Sequence, residues 1–197
     1  MNYIKLKQIK KIYFGCEEIA KVFGIRPASA RVSGVRLVRN GFLVRVKRNM
    51  YVLKDRWDVL SREDKFFLAN IIQVPSYISL MTALDYYEIT TQIQRDFIES
   101  ICVYRTKETA VSGSVFHYNK IDKKLYAGFV KENGFFIAAP EKAFADAIYL
   151  KSLKRYNFDL SSIDFKRLDI RKIEKIMAKY PRNHKRMAEI YGYFKKA

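Results

Sequence analysis

CEEIAKVFGIRPASARVSGVRLVRNGFLVRVKRNMYVL, residues 16–53, switches its apolar period from 3.6 to 2 at Gly41. Before that switch the pattern predicts two short helices. In the first, Glu17 and Glu18 occupy the opening turn, where acids favour the helix dipole, and Ile19, Val22 and Phe23 share a face. Gly24 supplies its stop, and Pro27 opens the next helix at a permitted first-turn position. In that second helix, burying Ala30, Gly34, Leu37 and Val38 leaves Ala28, Val32, Val35, Arg36 and Arg39 outside. The opposite register would bury arginine, which costs far more than exposing two valines. Gly34 is expected to mark close helix packing, since mid-helix glycine costs about 1 kcal/mol relative to alanine. After Gly41, strands at about 42–47 and 50–54 are expected, joined through Lys47-Arg48-Asn49. Helix, helix, basic helix and basic-tipped hairpin is the winged helix-turn-helix pattern.

Working outward, a preceding helix is expected at about residues 3–12, completing a DNA-binding domain over residues 1–56. Residues 57–197 read as a second, mixed α/β domain. Ser61 and Asp64 form a capping-box pattern for a helix at about 62–72, and PSYISLMTALDYYEI gives an extended entry followed by a helix at about 79–87. FIESICVY, GSVFHYNKI, KLYAGFVK and GFFIAA predict a sheet of about four strands. Pro140 opens a helix to about residue 153, and IRKIEKIMAKY and HKRMAEIYGYFKKA predict two basic C-terminal helices. The fold class is therefore α+β.

Charge narrows the function. The chain carries +18, and its distribution is uneven. Residues 1–56 hold 14 Lys/Arg against 3 Asp/Glu, residues 57–150 hold 10 against 12, and residues 151–197 hold 14 against 5. Two basic ends around a near-neutral middle point to a polyanion, because neutralising phosphates releases counterions. No run of about 18 apolar residues suits a membrane, and no apolar stretch follows the N-terminal lysines, so a cytoplasmic protein is expected. Cys16 and Cys102 stand alone and read as buried small hydrophobes.

No catalytic motif is visible: there is no phosphate-cradling glycine loop, nucleophile elbow or zinc spacing. His117, His184, Asp85, Asp96 and Glu99 carry no pattern that brings them together. Glu141, Lys142 and Asp146 form the most suggestive polar group, at the start of a helix. The chain reads as a binding protein rather than an enzyme, with no cofactor or metal expected.

Residues 16–53, together with PSYISLMTALDYYEI, the strand-rich middle and AAPEKAFADAIYL, resemble the AbiEi-type antitoxins of type IV (AbiE) toxin–antitoxin systems, which act in abortive infection. The resemblance runs from about residue 13 to 155, with PEKAFADAIYL its most telling stretch; Gly34 departs from it, where that family usually has a large aliphatic residue. It implies a transcriptional autorepressor on double-stranded operator DNA that also counteracts a nucleotidyltransferase toxin, without requiring a direct complex. It assigns DNA contacts to Arg26, Ser29, Arg31, Arg36 and Arg39 of the second helix and to Arg45, Lys47, Arg48 and Tyr51 of the hairpin. Glu141, Lys142 and Asp146 match the family's recurring motif. The basic C-terminal helices are also compatible with RNA. The alternatives are a nucleic-acid-processing enzyme targeted by the winged helix and an RNA-binding module.

Overall fold

The computed structural model describes residues 3–181 together with residue 190. Its chain is mixed α and β and divides into two compact units. One holds residues up to 65 with 111–113; the other holds 66–110 and the residues from 114 onward. Residues 57–65, assigned by sequence to the second domain, group with the first unit. The expected helix within residues 184–197, and His184, lie outside the described residues.

The first unit begins with a 3-10 helix, Tyr3–Gln8, shorter than the helix expected there. It continues with α1 (Cys16–Phe23), α2 (Pro27–Arg39), the strands β1 (Leu43–Lys47) and β2 (Met50–Leu53), and α3 (Lys54–Trp57). Gly24 ends α1 in the left-handed region at φ 63°, a conformation that favours glycine. β1 and β2 pair antiparallel, and Phe14 exchanges two backbone hydrogen bonds with Tyr51, extending that ladder. Leu6, Phe14, Ile19, Ala30, Leu37 and Leu53 form the core beneath the helices. Asn49 does double duty at the hairpin tip: it takes φ 56°, and its Oδ1 accepts the Cys16 amide at 2.7 Å. Because Gly15 has no side chain to cap α1, this long-range acceptor and the Glu18 carboxylate on the Gly15 amide satisfy two of the amides at its start. Arg56 donates to the carbonyls of Ile9 and Lys11, tying the N-terminal segment down.

α4 (Arg62–Ile72) carries the reciprocal Ser61–Asp64 capping hydrogen bonds at its start. The second unit then contains β3 (Ser76–Ile78), α5 (Leu80–Tyr86), β4 (Phe97–Cys102), β5 (Lys107–Val111, all but its last residue), β6 (Ser114–Lys120), β7 (Phe129–Glu132), β8 (Phe135–Ala138), α6 (Pro140–Ser152) and α7 (Ile170–Met177). Its sheet has six strands, not four, in the order β5-β6-β4-β3-β8-β7. β4 runs parallel to β6 and β3 parallel to β8, while the β3–β4 and β7–β8 pairs are antiparallel. Helix α6 packs on α5 and α7 and is buried without a break from Glu141 to Ile148. A helix covered this way has no polar stripe to give to solvent, so Lys142 and Asp146 must be satisfied inside. Among the described residues, no helix is long and apolar enough to cross a membrane.

Candidate nucleic-acid interface

The register expected for α2 is the observed one. Ala30, Ser33, Gly34 and Leu37 face inward, while Ala28, Ser29, Arg31, Val32, Val35, Arg36 and Arg39 are exposed. Gly34 explains how α2 comes so close to the hairpin. A Cβ at that position would stand 3.1 Å from the Tyr51 ring, tighter than such contacts tolerate without movement. Tyr51, expected near a protruding tip, is therefore corrected to a buried residue, only 4% exposed, under α2. Burial raises its phenol pKa.

Between α2 and the hairpin lies a depression of about 190 Å³ lined by Arg31, Val35, Arg45, Arg48, Asn49 and Tyr51, with Cys16 beside them. Three guanidinium groups from two elements border it, and no carboxylate does. Arg31, Arg45 and Arg48 make no ion pair among the described residues. Guanidinium forks match phosphate oxygens in pairs, so three of them around one depression suit an anion of that kind. Arg26 is exposed at the N-cap of α2. Ser29, Arg36, Arg39 and Lys47 are exposed on the same two elements but do not line the depression. Sequence reasoning missed Asn49 as a member: its residue type announced the turn, but its bond to α1 depends on a segment 33 residues away.

Two apolar side chains interrupt this basic face. Val32 is 71% exposed and Val35 58% exposed.

The group Glu141, Lys142 and Asp146 behaves differently. Lys142 and Asp146 form a closed network in the second unit. The Lys142 ammonium donates to Asp146 Oδ1 at 2.6 Å, to the Leu125 carbonyl at 2.9 Å and to the Tyr180 hydroxyl. Tyr180 donates in turn to Asp146 Oδ1, and Asp146 Oδ2 accepts from Tyr77 at 2.9 Å and Ser79 at 3.0 Å. The three ammonium protons and both carboxylate oxygens are thus engaged, and burial drives the Tyr77 and Tyr180 phenols well above their ordinary pKa. Gly128 leaves room for the lysine stem, since a Cβ there would lie 3.2 Å from Lys142 Cγ. Glu141 does not join this network; the exposed Lys172 ammonium lies 3.6 Å from its carboxylate. A pair so fully satisfied has no free valence for a substrate and reads as a core fastening.

The remaining titratable groups are scattered. Asp85 accepts the Gln94 amide, and Asp96 accepts the Ser114 hydroxyl. His117 faces the exposed Glu108. Glu99 is buried, accepts from the Tyr156 hydroxyl at 3.0 Å, and is pushed up to about 7 by desolvation. Cys16 and Cys102 are buried free thiols. Among the described residues, no three His, Cys, Asp or Glu side chains gather as a metal site would require.

Compared with known proteins, the chain matches no family model and no curated protein sequence.

Proposed function

We propose that the first unit is a winged helix-turn-helix that binds double-stranded DNA, with α2 entering the major groove and the β1–β2 hairpin serving as the wing. The observation that carries this reading is the acid-free depression where Arg31, Arg45 and Arg48 converge from helix and hairpin. In such a module the second helix reads base edges while flanking basic groups hold the phosphate backbone. Arg36 and Arg39 on the exposed face of α2 suit guanine O6 and N7, and Arg31 with the hairpin arginines suits a phosphate.

In the fuller reading, which rests on the resemblance of residues 13–155, the chain is an autorepressor of the AbiEi antitoxin type. Its second unit counters a nucleotidyltransferase toxin. Lys142 and Asp146 then hold the fold of that unit rather than touch the toxin or its substrate.

The test is fluorescence anisotropy of the full chain on duplex DNA from upstream of its own gene, against a scrambled duplex, with Arg36→Ala and Arg45→Ala/Arg48→Ala alongside. Preference for the upstream duplex, weakened by each variant, is the expected result. Equal and weak binding to both duplexes would remove operator recognition, and tighter binding to a structured RNA would favour the RNA-binding reading. Co-expression with the candidate toxin checks the second half: growth should be restored by the full chain and also by the Arg45→Ala/Arg48→Ala variant.

A further inference from the structure

Asn49 stands at the tip of the β1–β2 hairpin and serves two elements at once. Its backbone takes φ 56°, which turns the chain, and its Oδ1 accepts the Cys16 amide at the start of α1 at 2.7 Å. Residue 15 meets it from the other side. Gly15 has an extended backbone at φ −109°, open to any residue. A Cβ there, however, would lie 3.2 Å from the Asn49 carbonyl oxygen and 3.4 Å from its side-chain amide. Capping α1 alone would not need this arrangement, since serine, threonine or aspartate at residue 15 would supply an acceptor locally. Position 15 is instead left empty, and the acceptor comes from the hairpin, 33 residues away.

The hairpin needs such an anchor. A two-stranded ribbon is marginal by itself, and the β1–β2 register breaks between Arg45 and Lys47. Past that break the tip is held across the strands by a single pair, Lys47 with Met50. Two ties reach the hairpin from outside it. Phe14 exchanges backbone hydrogen bonds of 2.9 Å with Tyr51, and Asn49 holds Cys16. Only the second grips the tip. Arg48 immediately precedes Asn49, and both line the depression with Arg31 and Arg45. Where the tip sits therefore sets where Arg48 stands relative to Arg31.

We propose that Asn49 is a positioning residue for duplex binding: by fastening the hairpin tip to α1, it holds Arg45 and Arg48 around the depression with Arg31 before DNA arrives. A surface ordered in advance does not lose that freedom on binding, so the fastening raises affinity without adding a phosphate contact. This inference rests on the DNA-binding reading and adds to it the residue through which the wing is set. Asn49 is uncharged, which separates its part from that of the arginines. Loosening the tip should cost affinity but leave the number of phosphate contacts, and so the salt slope, as it was.

The experiment combines amide hydrogen exchange on the free full chain with anisotropy titrations on the upstream duplex at several salt concentrations. Asn49→Gly keeps the left-handed turn and deletes the acceptor, while Gly15→Ala crowds the same contact from α1. Neither changes the charge. In Asn49→Gly the Cys16 amide should exchange about tenfold faster or more, and the duplex should bind about three- to tenfold more weakly with an unchanged salt slope. Gly15→Ala should shift both readouts in the same direction, by less. Asn49→Asp keeps turn and acceptor, so its Cys16 amide should stay protected. Thermal unfolding gives the folded fraction of each variant, and affinities are compared per folded molecule. The proposal is overturned if Asn49→Gly leaves the Cys16 amide protected, binds the duplex as tightly as the parent chain, or flattens the salt slope. It is overturned equally if Asn49→Asp exposes that amide as Asn49→Gly does. A parent chain with no preference for the upstream duplex would remove the DNA-binding reading and this proposal with it. The exchange arm, which involves no DNA, tells that failure from a failure of the fastening alone.

Discussion

Asp146 accepts four hydrogen bonds in the interior of the second unit, two at each oxygen, from Lys142, Tyr180, Tyr77 and Ser79. Removing only the ammonium leaves a buried carboxylate uncompensated. Lys142→Met should therefore destabilise the chain by about 3–5 kcal/mol, because breaking one partner of a buried pair costs far more than replacing both. Adding Asp146→Asn should recover part of that loss. Urea unfolding of the four members of this cycle decides it, and strictly additive losses would mean that the two groups are not coupled. Glu99 makes the opposite case, a buried carboxyl that pairs with no cation among the described residues. Its folded pKa of about 7 stands above the ordinary 4.5, so folding favours the protonated form. The sign follows: its contribution is fully present below about pH 4.5 and is lost as pH rises through 7. The span corresponds to on the order of 3 kcal/mol at 1.36 kcal/mol per pKa unit. Glu99→Gln keeps an acceptor for Tyr156 but cannot ionise. Its stability relative to the parent chain should climb between pH 4.5 and 8, and a pH-independent difference would refute the assignment.

Helix α2 shows what an element adds to its residues. Gly34 removes the side chain that would keep α2 off Tyr51, and that approach brings Arg31 beside Arg45 and Arg48. The same rotation leaves Val32 and Val35 outward among the arginines. In a major groove the apolar feature available to a valine is the thymine methyl group. Replacing thymine by uracil in the bound duplex deletes those methyls without changing a base-pair hydrogen bond. If α2 enters the groove, this substitution should weaken binding by about three- to tenfold. The Val32→Ala/Val35→Ala variant should then bind both duplexes equally. A uracil duplex bound as tightly as the thymine one would place the valines away from the bases. The register of α2 was legible in sequence because burying arginine is so unfavourable, and the hairpin was legible because Asn49 suits a left-handed turn. Other elements were not. β3 is three residues long and buried on both faces, so it shows no alternation, and β5 is an exposed edge strand whose KETAV reads like a loop. Tyr51 was misplaced because its side depends on α2 packing over it. The closed partnership of Lys142 draws on Leu125 and Tyr180, and the Cys16 amide draws on Asn49; neither connection leaves a mark in local sequence.

For the whole molecule, the decisive quantity is where the +18 charge acts rather than its size. Residues 1–56 contain only three acids, and Glu18 and Asp55 among them pair with Lys11 and Lys7, while Arg31, Arg45 and Arg48 are exposed and make no ion pair among the described residues. Much of the remaining excess lies beyond residue 150, where α7 exposes Arg171, Lys172 and Lys175. Both regions attract a polyanion at low salt, and affinity at one ionic strength cannot separate them. The salt dependence can. Each phosphate contact contributes about −0.9 to the slope of log K against log salt on duplex DNA. If the depression holds the backbone, Arg31→Ala/Arg45→Ala/Arg48→Ala should flatten that slope by about 2–3. Arg171→Ala/Lys175→Ala, which removes two charges from α7, should leave the slope unchanged. Anisotropy titrations between 50 and 300 mM salt measure both. A slope flattened equally by the two variants would show that duplex DNA is held by diffuse charge over the chain. A slope flattened only by the α7 variant would shift nucleic-acid binding to the second unit and leave the three converging arginines without a phosphate.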